Sequence, residues 1–229
     1  ELKGGGEEAA GDYRICRTTE ELAALVARLG QTREFSLDPI LSSPEPMRAA
    51  LVGLAVSPAA GEGAYLPIGH EDGSSQLPVR AIVDSLAPLL GDPAVQKHGH
   101  DLKTTLIVLA ESDAPLKGLG CDTMVASYLL NPARRSFELA DAVLDHLGRQ
   151  IPAVKEIVGS GARSVPFASI TAAKAADYAC RRADAVMALA TELTAKIAAA
   201  DLGDLLRDVE MPLVTVLAAM ERKGVLIDC

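Results

Sequence analysis

The chain has 229 residues, 49% of them hydrophobic and 23% charged, and this balance excludes a disordered, collagen-like or fibrous protein. Its net charge of −9 excludes nucleic-acid binding through overall charge, so any such contact needs a local basic patch. We expect no membrane span and no signal peptide, and the four widely spaced cysteines predict structural thiols in a reducing, cytoplasmic compartment rather than a zinc site.

The first third of the sequence predicts a linker, one helix and three strands. Residues 1–12 contain three consecutive glycines and few large apolar groups, which is typical of a flexible linker. Thr18 or Thr19 is placed to cap an amphipathic helix that ends at Gly30. Short β-prone runs separated by Pro, Ser and Gly then predict a meander of strands at Glu34–Asp38, Leu51–Ser57 and Ala64–Ile68.

The middle of the sequence alternates between helix and strand, and its second half is helical. Apolar residues at helical spacing predict a helix between Pro78 and Gly91. A strand, a helix and a strand follow, and this order favours parallel pairing; they are Val95–His98, Asp101–Glu111 and Leu119–Cys121. The remaining predicted helices are one capped by Asp122 and those at Ser136–Leu147, Ser169–Ala200 and Asp204–Lys223.

The last of these helices carries an irregularity and an apolar stripe. Pro212 predicts a kink or a break within it. The stripe predicts packing against the helix that ends near Ala200, with an under-packed far end before the strand-like Val225–Asp228; it consists of Leu205, Val209, Leu213, Val216, Leu217 and Met220. The whole pattern predicts an α/β fold: a mixed sheet, with an antiparallel meander followed by parallel strands, helices on both faces and a helical C-terminal half.

Seven segments of this sequence resemble one known family. They are PMRAALVGLAVS, AYLPIGH, LKGLGCDTMVASYLLNP, FELADAVLDHLG, KEIVGSGARSVPF, YACRRAD and EMPLVTVLAAMERKGVLID. The resemblance is to the 3′-5′ exonuclease (proofreading) domain of bacterial family A DNA polymerases, of the polymerase I type, which has an RNase H-like fold. It implies an exonuclease-like domain at residues 13–202 and, at 203–229, the helix that leads into a polymerase domain not contained in this sequence.

The resemblance also implies where the catalytic residues should stand. The family binds two divalent metals, such as Mg²⁺, with carboxylates from three motifs. In the first, Asp-x-Glu, Asp38 is retained and Ile40 stands at the glutamate position. In the second, Asn-x-x-x-Asp, the matching residues are Asp101 and Thr105. In the third, Tyr-x-x-x-Asp, they are Tyr178 and Arg182.

These substitutions predict a degenerate site that holds no metal cofactor. One carboxylate is too few to hold hard cations, and Arg182 brings a permanent positive charge to a metal position. We therefore expect an ion pair between Asp38 and Arg182, with Tyr178 as a relic. We also expect His98 and His100 to be structural rather than metal ligands, and Asp177 and Asp184 to lie on a solvated face.

Two kinds of partner are predicted, the polymerase domain of the same parent chain and, weakly, DNA. Basic residues that could follow a single strand are Lys103, Arg134, Arg135, Arg149, Lys155 and Arg163, although no aromatic stacking platform accompanies them in the sequence. The leading hypothesis is thus an inactive exonuclease-like domain that supports the polymerase domain and guides DNA. Two alternatives stay open: an active exonuclease that recruits Asp101 or Asp184, and a free-standing module that binds nucleic acid or protein through the final helix.

Overall fold

The computed structural model describes residues 11–225 and contains one six-stranded mixed sheet. Its order is β1-β4-β3-β2-β5-β6, with β1 at Asp12–Ile15, β2 at Glu34–Leu41, β3 at Leu51–Ser57, β4 at Glu62–Pro67, β5 at Gln96–Gly99 and β6 at Leu119–Asp122. The meander β2–β3–β4 is antiparallel, whereas β1 joins β4, and β5 joins β2 and β6, in parallel. The predicted α/β fold is confirmed, including the antiparallel meander and the parallel strands that follow it.

The first of these strands was not predicted. Asp12–Ile15 pairs with Glu62–Tyr65, so the chain is already part of the sheet at Asp12 and the predicted linker boundary at residue 12 is wrong. The strand reads as alternating polar and apolar residues at the sheet edge, and its pairing depends on a partner about fifty residues away rather than on local sequence. The rest of the predicted linker, and most of Val225–Asp228, lie outside the described residues.

Helices cover both faces of the sheet. On one face lie α1 (Thr19–Gly30), which begins with the capping box of Thr18 and Glu21, and α2 (Val79–Leu90). Phe35 and Leu37 point from β2 into this apolar layer. Because side chains alternate along a strand, Ser36, Asp38 and Ile40 point to the opposite face, across which the long helix α7 (Ala172–Ala199) packs. The alternation of β2 thus places Asp38 beneath α7.

The remaining helices are α3 (Leu102–Ala110), α4 (Thr123–Leu130), α5 (Leu139–Leu147), the short α6 (Val154–Val158), α8 (Gly203–Leu205) and α9 (Met211–Lys223). Of these, α3, α4, α5 and α9 contribute to a second apolar cluster beside the sheet, and α6 packs with the cluster between the sheet and α7. The carboxylate of Asp122 caps α4 by accepting hydrogen bonds from the backbone of Met124 and Val125, as predicted. None of the helices in the described part of the chain is long and apolar enough to cross a membrane.

The final helical segment differs from its prediction in how it packs. Residues Leu206–Glu210 form a π turn immediately before Pro212, which accommodates the missing N–H of the proline within an otherwise continuous helical path. The helix α9 packs on α3 and β6, whereas α8, the start of this segment, contacts α7. Part of the segment thus packs against the helix that ends near Ala200, as predicted, and Leu206 and Met211 lie in the same apolar cluster as Ile197 of α7. The residues that face the protein are Leu206, Met211, Val214 and Ala218, while the predicted stripe is exposed.

Candidate functional site

A cleft of about 870 Å³ opens where β2, the start of α3 and the first half of α7 meet. Its polar part contains Asp38, Asp101, Thr104, Tyr178 and Arg182. Its apolar walls are formed by residues that flank these elements, among them Ile40, Leu41, Met124, Phe137, Val154, Val158, Val165 and Phe167. A concave site of this volume, with mainly apolar walls and a few convergent polar groups, has the character of a ligand site.

An ion pair occupies the floor of this cleft. The Arg182 Nε donates to Asp38 Oδ2 at 2.6 Å, and Nη2 donates to Oδ1 at 3.0 Å, so the guanidinium holds the carboxylate through a two-pronged contact. The Asp38 side chain is only 3% exposed. Burial lowers the pKa of Arg182, but Asp38 and Tyr178 outweigh this effect and raise it above its ordinary value, so the guanidinium stays charged. The ion pair predicted from the sequence is confirmed.

The residue at the glutamate position belongs to an apolar cluster. Ile40 is buried and packs in the same cluster as Phe167 and Tyr178. The Tyr178 ring lies 5.5 Å from the Arg182 guanidinium carbon, in a cation–π contact, and burial raises the pKa of its hydroxyl. Tyr178 is therefore one wall of the ion-pair site, held between an apolar layer and a cation.

The two residues at the second motif, Asp101 and Thr105, form hydrogen bonds with nearby groups at the start of α3. Thr105 is buried, and its hydroxyl donates to the backbone oxygen of Asp101 at 3.3 Å. Asp101 caps α3 from a left-handed backbone conformation, and its two carboxylate oxygens accept from the backbone N–H and the hydroxyl of Thr104. Both positions thus serve the start of α3.

The two histidines beside the second motif, His98 and His100, make hydrogen bonds within the protein. The ring of His100 contacts Thr123 Oγ1 and the backbone oxygen of Phe137, and burial together with the charge of Arg182 lowers its pKa to about 4. His98 accepts a hydrogen bond from the Cys121 N–H and contacts Glu34. Between residues 11 and 225, no three His, Cys, Asp or Glu side chains are grouped so that they could hold a metal ion.

The donor set does not fit the two divalent cations that the family resemblance implies. Hard cations such as Mg²⁺ take oxygen ligands, usually with one or two carboxylates and substrate phosphate. At the three other motif positions, Ile40 is apolar, and the Thr105 hydroxyl donates to a backbone oxygen. The third, Arg182, neutralises the remaining carboxylate, that of Asp38. We therefore derive no chemical step through a metal at this site.

The predicted solvated face holds for one aspartate and is wrong for the other. Asp177 is exposed and pairs with Arg181 one turn along α7. Asp184 is buried, and its oxygens accept from the Tyr13 hydroxyl at 2.9 Å and from the Gly61 N–H at 2.7 Å. Asp184 thereby holds α7 against β1 and against the turn before β4. Its burial could not be predicted from local sequence, because both donors are more than a hundred residues away along the chain.

Three of the six predicted DNA contacts already have acidic partners. Lys103 pairs with Glu221 of α9 at 2.5 Å, and Arg149 lies 3.6 Å from Asp184. Arg134 is largely buried, pairs with Asp145 at 2.6 Å and donates to Ser127. These cations fasten helices to one another, and a phosphate would have to compete with their carboxylates.

The other three predicted contacts lie on segments that contribute residues to the cleft wall. Arg135, Lys155 and Arg163 are exposed, and no ion pair of theirs occurs within residues 11–225. Each stands within two residues of a side chain that lines the cleft, next to Phe137, Val154 and Ser164 respectively. Half of the predicted basic set is thus exposed on segments that also contribute residues to the cleft wall.

An aromatic pair that sequence reasoning missed lies at the edge of the cleft. The rings of Tyr128 and Phe137 meet edge to face, with centroids 5.6 Å apart. The guanidinium of Arg134 lies 5.8 Å from the Phe137 centroid. Tyr128 lies on α4 and Phe137 nine positions later in the loop before α5, so no periodic pattern in the sequence predicts their contact. This aromatic pair beside the predicted basic residue Arg134 was not foreseen from the sequence.

The fold of the chain matches those of solved structures that are described as nucleases. Escherichia coli RNase D matches with a TM-score of 0.70 at 17% identity, covering 94% of this chain and 52% of that one. A structure described as the apo form of the nuclease matches with a TM-score of 0.69 at 21% identity, covering 95% of each chain. At these identities the likeness shows the fold alone, and that fold is the expected RNase H-like one.

The family follows from the sequence comparisons. The family model described as 3′-5′ exonuclease matches residues 13–198, and the chain belongs to this family, the exonuclease domains of family A DNA polymerases. It is 33% identical to DNA polymerase I of Pseudomonas aeruginosa over 226 residues, which cover 96% of this chain and 25% of that protein. A structure described as the POL domain of Pol1 from M. smegmatis, in complex with DNA primer-template and dNTP, matches with a TM-score of 0.74 at 28% identity, covering 94% of this chain and 33% of that one. The chain thus spans about a quarter of the length of that curated relative.

Proposed function

We propose that this chain is a vestigial 3′-5′ exonuclease-like domain of a polymerase I type polypeptide, which has lost its metal site and supports the polymerase domain. The observation that carries the proposal is the ion pair between Asp38 and Arg182. A guanidinium fixed by two hydrogen bonds supplies the positive charge that a carboxylate in this cleft needs, and it repels a second cation. The role assigned to the domain is structural, with guidance of DNA as a second element.

The alternative of a rearranged, active exonuclease would need other carboxylates at the cleft. Asp101 is engaged by Thr104, and Asp184 by Tyr13 and Gly61. Recruiting either carboxylate would break these part-buried hydrogen bonds, and a hydrogen bond to a charged group contributes about 1.5–3 kcal/mol. The geometry therefore favours the vestigial domain over the active enzyme.

The supporting role is argued from the outer face of the last helix. Leu213, Val216 and Met220 are exposed on α9 and lie at three- and four-residue steps, which gives one continuous apolar stripe. Contiguous exposed apolar surface is typical of a contact with another protein surface. In the curated relatives, which are about four times as long as the matched region, more protein is present to cover it. We assign this surface to the polymerase domain of the parent chain.

A nuclease assay tests the loss of activity. The purified chain should release no nucleotides from single-stranded DNA with either Mg²⁺ or Mn²⁺. The variant Ile40→Glu/Thr105→Asp/Arg182→Asp restores the missing carboxylates together, because ligands that act as a unit are not expected to rescue activity singly. Metal-dependent release by the unmodified chain, abolished in Asp38→Ala, would overturn the proposal.

A further inference from the structure

We propose that Tyr128 and Phe137 form a stacking site for an unpaired base of a single-stranded nucleic acid at the edge of the cleft. The inference rests on the DNA-guiding element of the proposed function and gives it a location and a ligand chemistry. Stacking on aromatic side chains is tolerant of base identity, since every base presents a π face. The site lies outside the positions that carried the three exonuclease motifs.

The exposure and orientation of the two rings suit this role. The Tyr128 side chain is 49% exposed. The chain has only four tyrosines and no tryptophan. Its ring meets Phe137 at an interplanar angle of 65°, so the pair is held edge to face rather than stacked on itself. A base can therefore pack on the open face of Tyr128 without displacing its neighbour.

The supporting side chains are fixed before any ligand arrives. The guanidinium of Arg134 lies over the Phe137 ring and is itself held by Asp145 and Ser127. The backbone oxygen of Phe137 is engaged by the ring of His100. Because these contacts already immobilise Phe137, less side-chain freedom is lost when a base stacks against the pair.

The aromatic pair continues the wall of the cleft outward. Phe137 and Met124 both line the cleft, and Tyr128 stands four residues beyond Met124 on α4, hence on the same face of that helix. A strand whose end lies in the cleft would pass Phe137 first and Tyr128 next. The cleft volume of about 870 Å³ limits the size of the nucleic-acid segment that can enter the cleft.

The charges along this rim complement a phosphate backbone. Arg135 is two residues before Phe137 in sequence, and Lys155 and Arg163 lie on other segments that contribute to the cleft wall, all three exposed. The acidic residues in the same stretch are Glu138, which lies beside Phe137, and Glu156, which accepts a hydrogen bond from the Ala153 N–H. Asp101 lines the cleft as well, and of these three carboxylates those of Asp101 and Glu156 already accept hydrogen bonds at the starts of helices.

Binding of fluorescein-labelled oligothymidylate, measured by anisotropy in EDTA at low salt, tests the site. EDTA prevents hydrolysis, so the result is independent of whether the chain is an active nuclease. We expect Tyr128→Ala to weaken binding by about tenfold, in line with the loss of one stacked base. The matched control is Leu144→Ala, which truncates a similarly exposed side chain on α5. Equal affinity of Tyr128→Ala and the unmodified chain, or no binding by the unmodified chain, would overturn the inference and leave the scaffold role standing.

A single-tryptophan reporter separates stacking from charge. Because the chain has no tryptophan, Tyr128→Trp introduces one fluorophore at the site. We expect oligothymidylate to quench its emission saturably, and an abasic oligonucleotide of equal length and charge to quench it much less. Equal quenching by both oligonucleotides would show that only the phosphates are bound, which contradicts the stacking site.

Discussion

The guanidinium of Arg182 grips the carboxylate of Asp38 through two hydrogen bonds and thereby joins the long helix α7 to the central strand β2. The two residues are 144 positions apart, and the contact lies on the floor of the cleft. The pair supplies internally the charge balance that a bound cation would otherwise provide. It is also a structural contact, so its removal should be felt in stability.

The first prediction concerns that contact. Arg182→Leu leaves the carboxylate of Asp38 buried without its partner, and we expect a loss of about 3–5 kcal/mol in the free energy of unfolding at pH 7. Urea denaturation followed by circular dichroism measures this change. The double variant Asp38→Leu/Arg182→Leu is the control, because removing both charges should recover most of the loss. A single variant as stable as the unmodified chain would show that Asp38 is hydrated or paired elsewhere.

The second prediction uses the buried cap Asp122. Its carboxylate accepts hydrogen bonds from four backbone N–H groups, those of Asp101 and Leu102 at the start of α3 and those of Met124 and Val125 in α4. Burial nevertheless raises its pKa from an ordinary 3.8 to about 6, and the neighbouring Asp101 acts in the same direction. Between these two values the folded state binds more protons than the unfolded state, so this group lowers stability as the pH rises.

The test compares the unmodified chain with Asp122→Asn from pH 4 to pH 7. A difference of about two pKa units corresponds to about 3 kcal/mol, so the stability advantage of the unmodified chain over the variant should shrink by that amount across the window. The comparison removes the contributions of other carboxylates, since both proteins contain them. A difference that stays constant with pH would mean that Asp122 titrates near its ordinary value.

The third prediction distinguishes the two faces of α9. Val216 is 52% exposed and Val214 is 6% exposed, although both are valines within one helical turn. Val216→Glu should change the stability of this chain by less than about 0.5 kcal/mol, whereas Val214→Glu should lower it by several kcal/mol. In a polypeptide that also contains the polymerase domain, Val216→Glu should become destabilising. If it stays neutral there, the stripe is not the contact with that domain.

Much of the fold could be predicted because its signals are local. Thr18 and Glu21 stand at the spacing of a capping box, and the alternation of side chains along β2 places Asp38 and Ile40 on one face of the sheet. The last helix could not be oriented in this way. It has two apolar faces, one with Val214 and one with Val216, and periodicity alone does not decide which of them meets the protein.

The site was predictable to the same extent. The pairing of Asp38 with Arg182 followed from the charges that the motif alignment brought together. The burial of Asp184, the contact of Tyr128 with Phe137 and the engagement of Arg134 did not, because each depends on partners from other elements. The sequence alone does not distinguish a charged residue that is exposed to solvent from one that forms an ion pair with a distant residue.

The most direct test of the account is the position of Mn²⁺ in crystals of the chain soaked at millimolar concentration. Anomalous scattering should show no ion in the cleft, with Arg182 still hydrogen-bonded to Asp38, while Ile40→Glu/Thr105→Asp/Arg182→Asp crystals should gain ions there. Two Mn²⁺ ions about 4 Å apart beside Asp38 in the unmodified chain, with Arg182 displaced, would contradict the account.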